Sequence, residues 1–481
     1  MPDKILPVLQ QFRDKIYRLF PSRKDAAMEL VDALSSNTDA TSVVELSLNP
    51  LHRRNYCSIT RALDEFYSPT DVSKNHEQNK ESTRIISEHC ILRSMRAFHL
   101  FAVDITPSPR VFSPTVEDRG YVYAPNNSIA GNKPITIGHQ YSIAAYLPEK
   151  SAEQHSFPWV VPLLCGRVNT DQKGITVGME QLRDCIQSQP SFKNELCVSM
   201  GDCAYSHPDC LGETKKNPNQ VHVSRARNNR VFNYPLDQPD VPKKKGRPKQ
   251  YGDKYNLRDQ STWNPPDATL DFEVISKKGK RQIVKINCWD TIIMRGTKQS
   301  TLHDYPFRLL QVCVYKESGD LLFNRPLWLI AAGKRRYELS LLDIFNSYRQ
   351  RFDLEHFFRF GKDRLLMNKT QTPDVGHEEA WWQFVMLAYT QLFLARNEAN
   401  NTLKPWEKYD RALREPTEEK SPTQTQRDFG RIIGEIGTPA KPLKHRNKSK
   451  GRQMGDVQPK RTHHSIILKR KKSANLVEMI V

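Results

Sequence analysis

Two short apolar stretches, each followed by an aspartate, constrain the fold of this chain most strongly. They are the stretch 97–107, in which Asp104 follows an apolar run, and the stretch 196–202, which ends at Asp202. Short continuous apolar runs of this kind are typical of strands that are buried on both faces. A buried carboxylate needs a partner such as a metal, a base or a helix cap. Because helices are predicted between these strands, we expect an α/β sheet whose strand ends converge on one site.

A third candidate acid lies in the stretch from Tyr348 to Lys362, which is predicted to be helical. Tyr348, Arg351, Glu355 and Lys362 follow one another at steps of three, four and seven residues. At about 100° per residue they fall within a stripe roughly 60° wide. Two interpretations are open at this point. The stripe is either an ordinary amphipathic surface with an Arg351–Glu355 ion pair, or a metal-binding carboxylate among phosphate contacts.

The charge of the chain predicts a polyanionic partner such as nucleic acid. The formal net charge is +19, and residues 441–472 alone carry 12 Lys or Arg residues against one acid.

No run of 18 apolar residues is present, so we expect no membrane span. The first residues lack a basic region followed by an apolar core, so we also expect no secretory signal. The nine cysteines show no pairing framework and are expected to be free thiols. Cys203, His207 and Cys210 suggest half a zinc site, but no second half follows.

Changes of composition divide the chain into five predicted segments. Residues 1–95 are expected to form a helical DNA-binding domain, with a domain that serves only packing as the alternative. Residues 96–235 and 339–403 are expected to form two parts of one core, separated by a β-rich insertion at 236–338. Residues 404–481 are expected to form a basic tail that is extended or disordered on its own.

The predicted insertion begins with a basic arm at residues 243–249. Lys245, Arg247 and Lys249 are candidate DNA contacts within it. The Gly-Arg-Pro sequence at 246–248 resembles an AT-hook, an arm that inserts arginine into a narrow minor groove, although a plain phosphate-binding loop is the alternative. The insertion also contains Trp263, Trp289 and Trp328, which could stack on an unpaired base or pack in a core.

Asp104, Asp202 and Glu355 together suggest a centre for phosphoryl transfer. Three carboxylates can hold two Mg²⁺ ions roughly 4 Å apart, one beside the attacking oxygen and one beside the leaving oxygen. Mg²⁺ prefers oxygen ligands, and we expect Mn²⁺ to substitute for it. Arg351 and Lys362 would then hold DNA phosphates, and Tyr348 could donate a hydrogen bond to one of them.

With these residues in place, the sequence resembles the DDE-type transposases of bacterial insertion sequences, in the group with a Tyr-Arg-Glu-Lys signature. Tyr348, Arg351, Glu355 and Lys362 match the signature at its spacing. The sequences Asp-Ile-Thr at 104–106 and Gly-Asp-Cys-Ala-Tyr at 201–205 precede it in the expected order. The resemblance covers roughly residues 95–400.

The resemblance implies a fold, an activity and partners. The fold would be an RNase H-like catalytic core, α/β in class, interrupted by a β-rich insertion. The activity would be Mg²⁺-dependent cleavage at the ends of an insertion sequence, followed by joining of the 3′ ends to target DNA. The partners would be double-stranded DNA, as terminal inverted repeats and as target, and a second copy of the chain in a synaptic homodimer. The location would be the bacterial cytoplasm, in association with the nucleoid. Two alternatives are an RNase H-like nuclease without strand transfer and a DNA-binding relative that has lost catalysis.

Overall fold

The computed structural model describes residues 5–67, 71–91, 95–124, 134–150, 157–236, 249–276, 279–398, 419–444, 451 and 453–468. The helices are α1 Ile5–Leu19, α2 Lys24–Ser35, α3 Val43–Leu46, α4 Tyr56–Asp64, α5 Val72–Cys90, α6 Gly174–Ser188, α7 Pro208–Lys215, α8 Leu341–Gln350, α9 Phe352–Arg364, α10 Val375–Ala395 and α11 Pro422–Ile436. The strands are β1 His99–Pro109, β2 Gly120–Tyr123, β3 Ile135–Tyr146, β4 Val161–Val168, β5 Cys197–Gly201, β6 Gln220–Ala226, β7 Val231–Asn233, β8 Lys254–Asn256, β9 Ala268–Ile275, β10 Arg281–Ile292, β11 Phe307–Lys316 and β12 Leu327–Ala332.

One mixed sheet of ten strands organises the molecule. Its order is β2-β3-β1-β5-β6-β12-β11-β10-β9, and β4 pairs with β3 beside this path. Strand β1 runs antiparallel to β3 and parallel to β5, and β5 runs parallel to β6. This mixed α/β architecture is consistent with an RNase H-like core. The α/β class expected from the two apolar strands is therefore confirmed.

Helix α6 packs closely against one face of β1 and so determines the direction of the neighbouring side chains. A Cβ atom on Gly178 would lie 2.8 Å from Val103 Cγ2, and one on Gly174 would lie 2.5 Å from Ile105 Cδ1. Residues at these two positions must therefore be glycine for the helix to approach this far. Because successive side chains of a strand alternate between faces, Asp104 points to the opposite face, towards α9.

The prediction that Asp104 lies near the end of its strand is wrong, because β1 continues to Pro109. The parallel pairing of β1 with β5 stops at Ala102 and Met200, whereas its antiparallel pairing with β3 continues to Pro109. The apolar run in the sequence ends close to the point where β1 stops pairing with β5. The sequence does not reveal that β1 remains paired with β3 beyond that point. Asp104 thus lies inside β1 at the point where β5 ends.

Four of the strands between residues 236 and 338, β9 to β12, continue the core sheet, whereas β8 pairs with β7 in a separate two-stranded sheet. Strand β12 pairs with β6, and β11, β10 and β9 follow it in antiparallel order. A separate inserted domain with these boundaries therefore stays a prediction. In this region Trp328 and Trp289 are 1% and 4% exposed and pack against Tyr255, which favours the core interpretation of these side chains. Trp263 is half-buried and stacks on the ring of Tyr255.

The N-terminal helices share a core with α10 instead of standing apart from it. Helices α1, α2, α4 and α5 all contact α10. Arg13 forms a buried ion pair with Asp32 in this core. Arg53 and Arg54 of this segment both contact the buried carboxylate of Glu29. These contacts support the packing alternative, and a DNA-binding role for residues 1–95 stays a prediction.

Part of the predicted extended tail is helical, so that prediction is wrong for residues 422–436. Ser421 caps α11: its hydroxyl accepts from the backbone N–H of Gln424, whose side chain accepts from the N–H of Ser421 in return. Phe429 and Ile432 of α11 are buried, and the helix packs against α10. The capping pair was a sequence signal for a helix start that the polar composition obscured. None of the described helices is long and apolar enough to cross a membrane.

A buried ion network ties the end of β1 to the start of α10. The carboxylate of Glu378 accepts hydrogen bonds from Ser108 Oγ at 2.6 Å, Arg110 Nε at 3.0 Å and His139 Nδ1 at 2.9 Å. Burial alone would raise the pKa of Glu378, but the hydrogen bond from His139 and the charge of Arg110 outweigh burial and lower that pKa to about 2. The network therefore holds the end of β1 against the start of α10.

We predict that Glu378→Gln destabilises the protein by about 3 kcal/mol or more at pH 7, because it leaves the buried guanidinium of Arg110 without its counter-ion. The folded pKa lies below the unfolded value of about 4.5, so this contribution is present above pH 4.5 and is lost as the pH falls towards 2. Chemical unfolding across this pH range measures it. Glu379→Gln, which changes the neighbouring and more exposed acid, is the control and should cost under about 1 kcal/mol. Equal losses for the two variants would contradict the role of the network.

Candidate active site

The three candidate acids come from three different elements. Asp104 lies on β1, Asp202 directly follows β5, and Glu355 lies in the first turn of α9. The last parallel pair joins Ala102 to Met200, and each aspartate lies two residues beyond its member of that pair. The parallel register therefore brings the two aspartates to the same level of the sheet. Asp104 Oδ1 accepts from the N–H of Ile105 at 2.7 Å, and Asp202 Oδ1 accepts from the N–H of Ala204 at 2.8 Å.

Arg351 joins the helical acid to the first aspartate. Its Nη2 donates to Glu355 Oε1 at 2.7 Å, and its Nη1 lies 3.7 Å from Asp104 Oδ2. The guanidinium also lies 4.9 Å from the ring centre of Phe352. The side chain of Arg351 is only 6% exposed, whereas that of Glu355 is 48% exposed. The predicted Arg351–Glu355 ion pair is therefore present, and it is one half of a bridge that reaches the sheet.

The helix that carries these residues is interrupted where the sequence predicts a continuous one. Helix α8 ends at Gln350 and α9 begins at Phe352, so Arg351 is the junction residue. Its backbone N–H bonds the carbonyl of Tyr348, three residues earlier, at 3.3 Å. By contrast, α9 continues past Gly361, whose missing side chain makes room for Met367. The interruption leaves Arg351 buried between the strand and the helix.

The charges around Asp104 determine its ionisation. Burial, together with the nearby carboxylates of Asp202 and Glu355, raises the pKa of Asp104 to about 6, although the Ile105 N–H and the charge of Arg351 act in the opposite direction. Burial lowers the pKa of Lys362, and the carboxylate of Asp104 opposes that shift. All three acids and two cations thus act on one small region.

The remaining predicted contacts fall into two groups. Tyr348 is buried beside this region; burial raises the pKa of its hydroxyl, and the charge of Arg351 opposes the shift. Lys245 and Arg247 lie outside the described residues, and Lys249 is exposed just before β8. For these three arm residues, contact with DNA stays a prediction.

The suggested half zinc site is not formed. The ring of His207 caps α7, with Nδ1 accepting from the N–H of Asp209 at 3.2 Å, and Cys210 is buried. All nine cysteines are unpaired, which confirms the expectation of free thiols.

Tyr205, the last residue of the motif at 201–205, packs near the acids, a position that the motif alone did not predict. Its ring folds back over Gly201, where a Cβ atom would lie 2.4 Å from Tyr205 Cβ. Burial raises the pKa of Tyr205 well above its usual value, and the carboxylates of Asp104 and Asp202 add to this shift. The glycine four residues earlier was a signal for this close packing.

The donor set fits a divalent cation in part. Asp104 and Asp202 offer carboxylate oxygens at one level of the sheet, and mutual repulsion of such groups is relieved by a cation. Over the part of the chain that the structure describes, no three His, Cys, Asp or Glu residues are close enough together to hold a metal ion. Arg351 stands between Asp104 and Glu355 instead. Metal binding by the two aspartates therefore stays a prediction, and the carboxylate of Glu355 contacts Arg351 in this structure.

The fold and site define a protein with an α/β core and an acidic centre flanked by cations. Residues 15–285, more than half of the chain, match the family model described as DDE superfamily endonuclease, and the chain belongs to this family. The match includes Asp104 and Asp202 and ends before Glu355. Membership supports a function of the nuclease or transposase type with DNA as the substrate, and such domains generally use divalent metal ions. A comparison with curated proteins found no match.

We predict that Asp104→Asn makes the metal-free protein more stable at pH 8 by about 3 kcal/mol. The pKa of Asp104 rises from 3.8 to about 6 on folding, so its ionisation penalises the folded state as the pH rises through this range. The asparagine cannot ionise, and its advantage should shrink towards pH 4. Chemical unfolding in the presence of a chelator measures both values, with Asp363→Asn, an exposed site on α9, as the control. A variant less stable than the wild type at pH 8 would contradict the assigned environment.

Proposed function

We propose that the protein is a DNA transposase of the insertion-sequence type, with Asp104, Asp202 and Glu355 as its catalytic acids. It would cleave the ends of the element and join the 3′ ends to target DNA. The observation that carries this proposal is that Arg351 contacts both Asp104 of β1 and Glu355 of α9, while Asp202 follows β5 at the same level of the sheet as Asp104. The family match supports the same class of activity.

Asp104, Asp202 and Glu355 would hold Mg²⁺, or Mn²⁺ in its place. When bound, the metal would supply Lewis-acid chemistry that activates water or a 3′-hydroxyl and stabilises the leaving oxygen. The backbone N–H groups of Ile105 and Ala204 each hold one oxygen of an aspartate, and the other oxygen of Asp104 lies 3.7 Å from Arg351 Nη1. The glycine-mediated packing of α6 keeps β1 rigid beneath Asp104.

Arg351 would have two roles in succession. Without DNA, its guanidinium reduces the repulsion between Asp104 and Glu355. A phosphodiester offers the same guanidinium two oxygens in a geometry that favours paired hydrogen bonds. DNA entering the site would therefore compete with Glu355 for Arg351 and release the carboxylate. Lys362 and Tyr348 would contact neighbouring phosphates from the same side.

Cleavage without strand transfer is the second candidate, because the family description names an endonuclease. A joining assay with precleaved element ends separates the two, since a nuclease yields no joined product. The transposase proposal also includes a synaptic homodimer, in which a second copy of the chain would take part. A relative that binds DNA without catalysis would bind no Mg²⁺ or Mn²⁺ through these acids.

The central test is cleavage by Glu355→Gln and by Asp104→Asn. We expect each variant to bind element ends with wild-type affinity and to lose Mg²⁺-dependent cleavage by at least about a hundredfold, because each removes a carboxylate from the charge-stabilising set. Gel assays of cleavage and binding on the same DNA measure both quantities.

Asp363→Asn is the matched control, since Asp363 is an exposed carboxylate on the same helix as Glu355. It should leave cleavage unchanged. Wild-type cleavage by either test variant would refute the catalytic assignment, whatever the result for the control.

A further inference from the structure

A segment of the basic tail is anchored to the outer edge of the sheet. The N–H of Ile467 donates to the carbonyl of Arg119 at 2.8 Å, and Ile467 bridges to Gly120 of β2 in parallel. His464 donates from its N–H to the carbonyl of Pro114 at 2.9 Å. The buried guanidinium of Arg119 donates in turn to the carbonyl of His464 at 3.1 Å. These contacts fix the tail beside β2 at both ends of a four-residue stretch.

Two exposed tyrosines of β2 lie at the place where the tail is anchored. Tyr121 is 50% exposed and Tyr123 is 63% exposed. Tyr121 pairs with Ile137 of β3, and Asp104 pairs with Ile143. Ile137 and Ile143 are separated by an even number of residues on one regular strand, so the tyrosines point to the same face of the sheet as Asp104. Phe112, in the loop before β2, is 92% exposed.

The charge of the tail complements a polyanion. Lys460 and Arg461 are exposed four and three residues before His464, so their Cα atoms lie within about 15 Å of that anchor. The sequence that follows the anchor continues with four cations at 469–472. Of the neighbouring acids, Asp118 is already paired with Arg167, and Glu117 is exposed. Cations therefore outnumber free acids at this edge.

The edge is connected to the catalytic helix along the same face. Ser113 Oγ, beside Phe112, donates to Gln371 Oε1 at 3.3 Å, and Gln371 belongs to the loop that joins α9 to α10. Lys369 is exposed in that loop. Six residues along β3 and two strand spacings separate Tyr121 from Asp104, or roughly 22 Å, which is the length of about six base pairs of DNA. A duplex in the candidate site would reach this edge within one helical turn.

We propose that Phe112, Tyr121, Tyr123, Lys460 and Arg461 form a second DNA-binding surface, the edge surface, which holds the duplex beside the cleavage site. The two cations contact phosphates, while the tyrosines donate hydrogen bonds to phosphate oxygens and pack against sugars. This inference rests on the proposed function only in that DNA is the substrate.

Binding of the full-length protein to a fluorescein-labelled duplex of about 30 base pairs tests the edge surface. The assay contains a chelator and follows anisotropy over a range of NaCl concentrations. For Lys460→Ala with Arg461→Ala, we expect the slope of log affinity against log salt to fall in magnitude by about 2, one for each phosphate contact. For Tyr121→Thr with Tyr123→Thr, which keeps strand-forming residues, we expect about tenfold weaker binding at an unchanged slope.

Lys280→Ala with Arg281→Ala is the matched control, because this exposed Lys-Arg pair lies at the other end of the sheet, at the start of β10. The control should leave the slope unchanged. An equal fall in slope for both double variants, or no fall for the tail variant, overturns the edge surface. The edge surface is also overturned if the tail variant differs from the wild type in its mass by light scattering while the slope of log affinity against log salt is unchanged. The surface would then contact a second copy of the chain. Cleavage by the wild type is measured separately. The edge surface and the proposed function can therefore fail independently of each other.

Discussion

The contact of Arg351 with Asp104 and Glu355 is the interaction on which the candidate site depends. Asp104 is largely buried beside two other carboxylates, and its pKa is raised to about 6 for that reason. A single guanidinium, nearly excluded from solvent, offsets part of this repulsion. The interruption between α8 and α9 occurs at the same residue. The helix geometry and the electrostatics of the site are therefore linked through one side chain.

The rest of the sheet holds Asp104 where this contact is possible. Close packing of α6 at Gly174 and Gly178 turns Asp104 to the other face of β1. Beyond Asp104, the strand is retained by β3 alone, and the buried Glu378 network fastens that extension to α10. The pairing of β1 with β5 ends two residues before Asp104, and the Glu378 network contacts the chain at the far end of β1. The candidate site thus lies where β1 has lost β5 as a neighbour and is still paired with β3.

Local patterns predicted the parts of the site that depend on local spacing. The apolar runs before Asp104 and Asp202 identified two buried strands, and the step of four residues gave the contact between Arg351 and Glu355 as one of two open interpretations. The contact between Arg351 and Asp104 joins residues 247 positions apart, and no periodicity encodes it. The length of β1 beyond Asp104 depends likewise on its pairing with β3, which is distant in the sequence. Helix α11 was missed for a different reason, since its Ser421 cap was present in the sequence but lay within a polar segment.

The proposed role of the acids is tested most directly by anomalous diffraction from crystals of the wild-type protein soaked with Mn²⁺. The account predicts a manganese peak in contact with the carboxylates of Asp104 and Asp202. In complexes with DNA, it predicts that Arg351 leaves Glu355 for a phosphate and that Glu355 turns towards the metal. Manganese bound only elsewhere, with the Arg351–Glu355 contact intact in the presence of DNA, would contradict it.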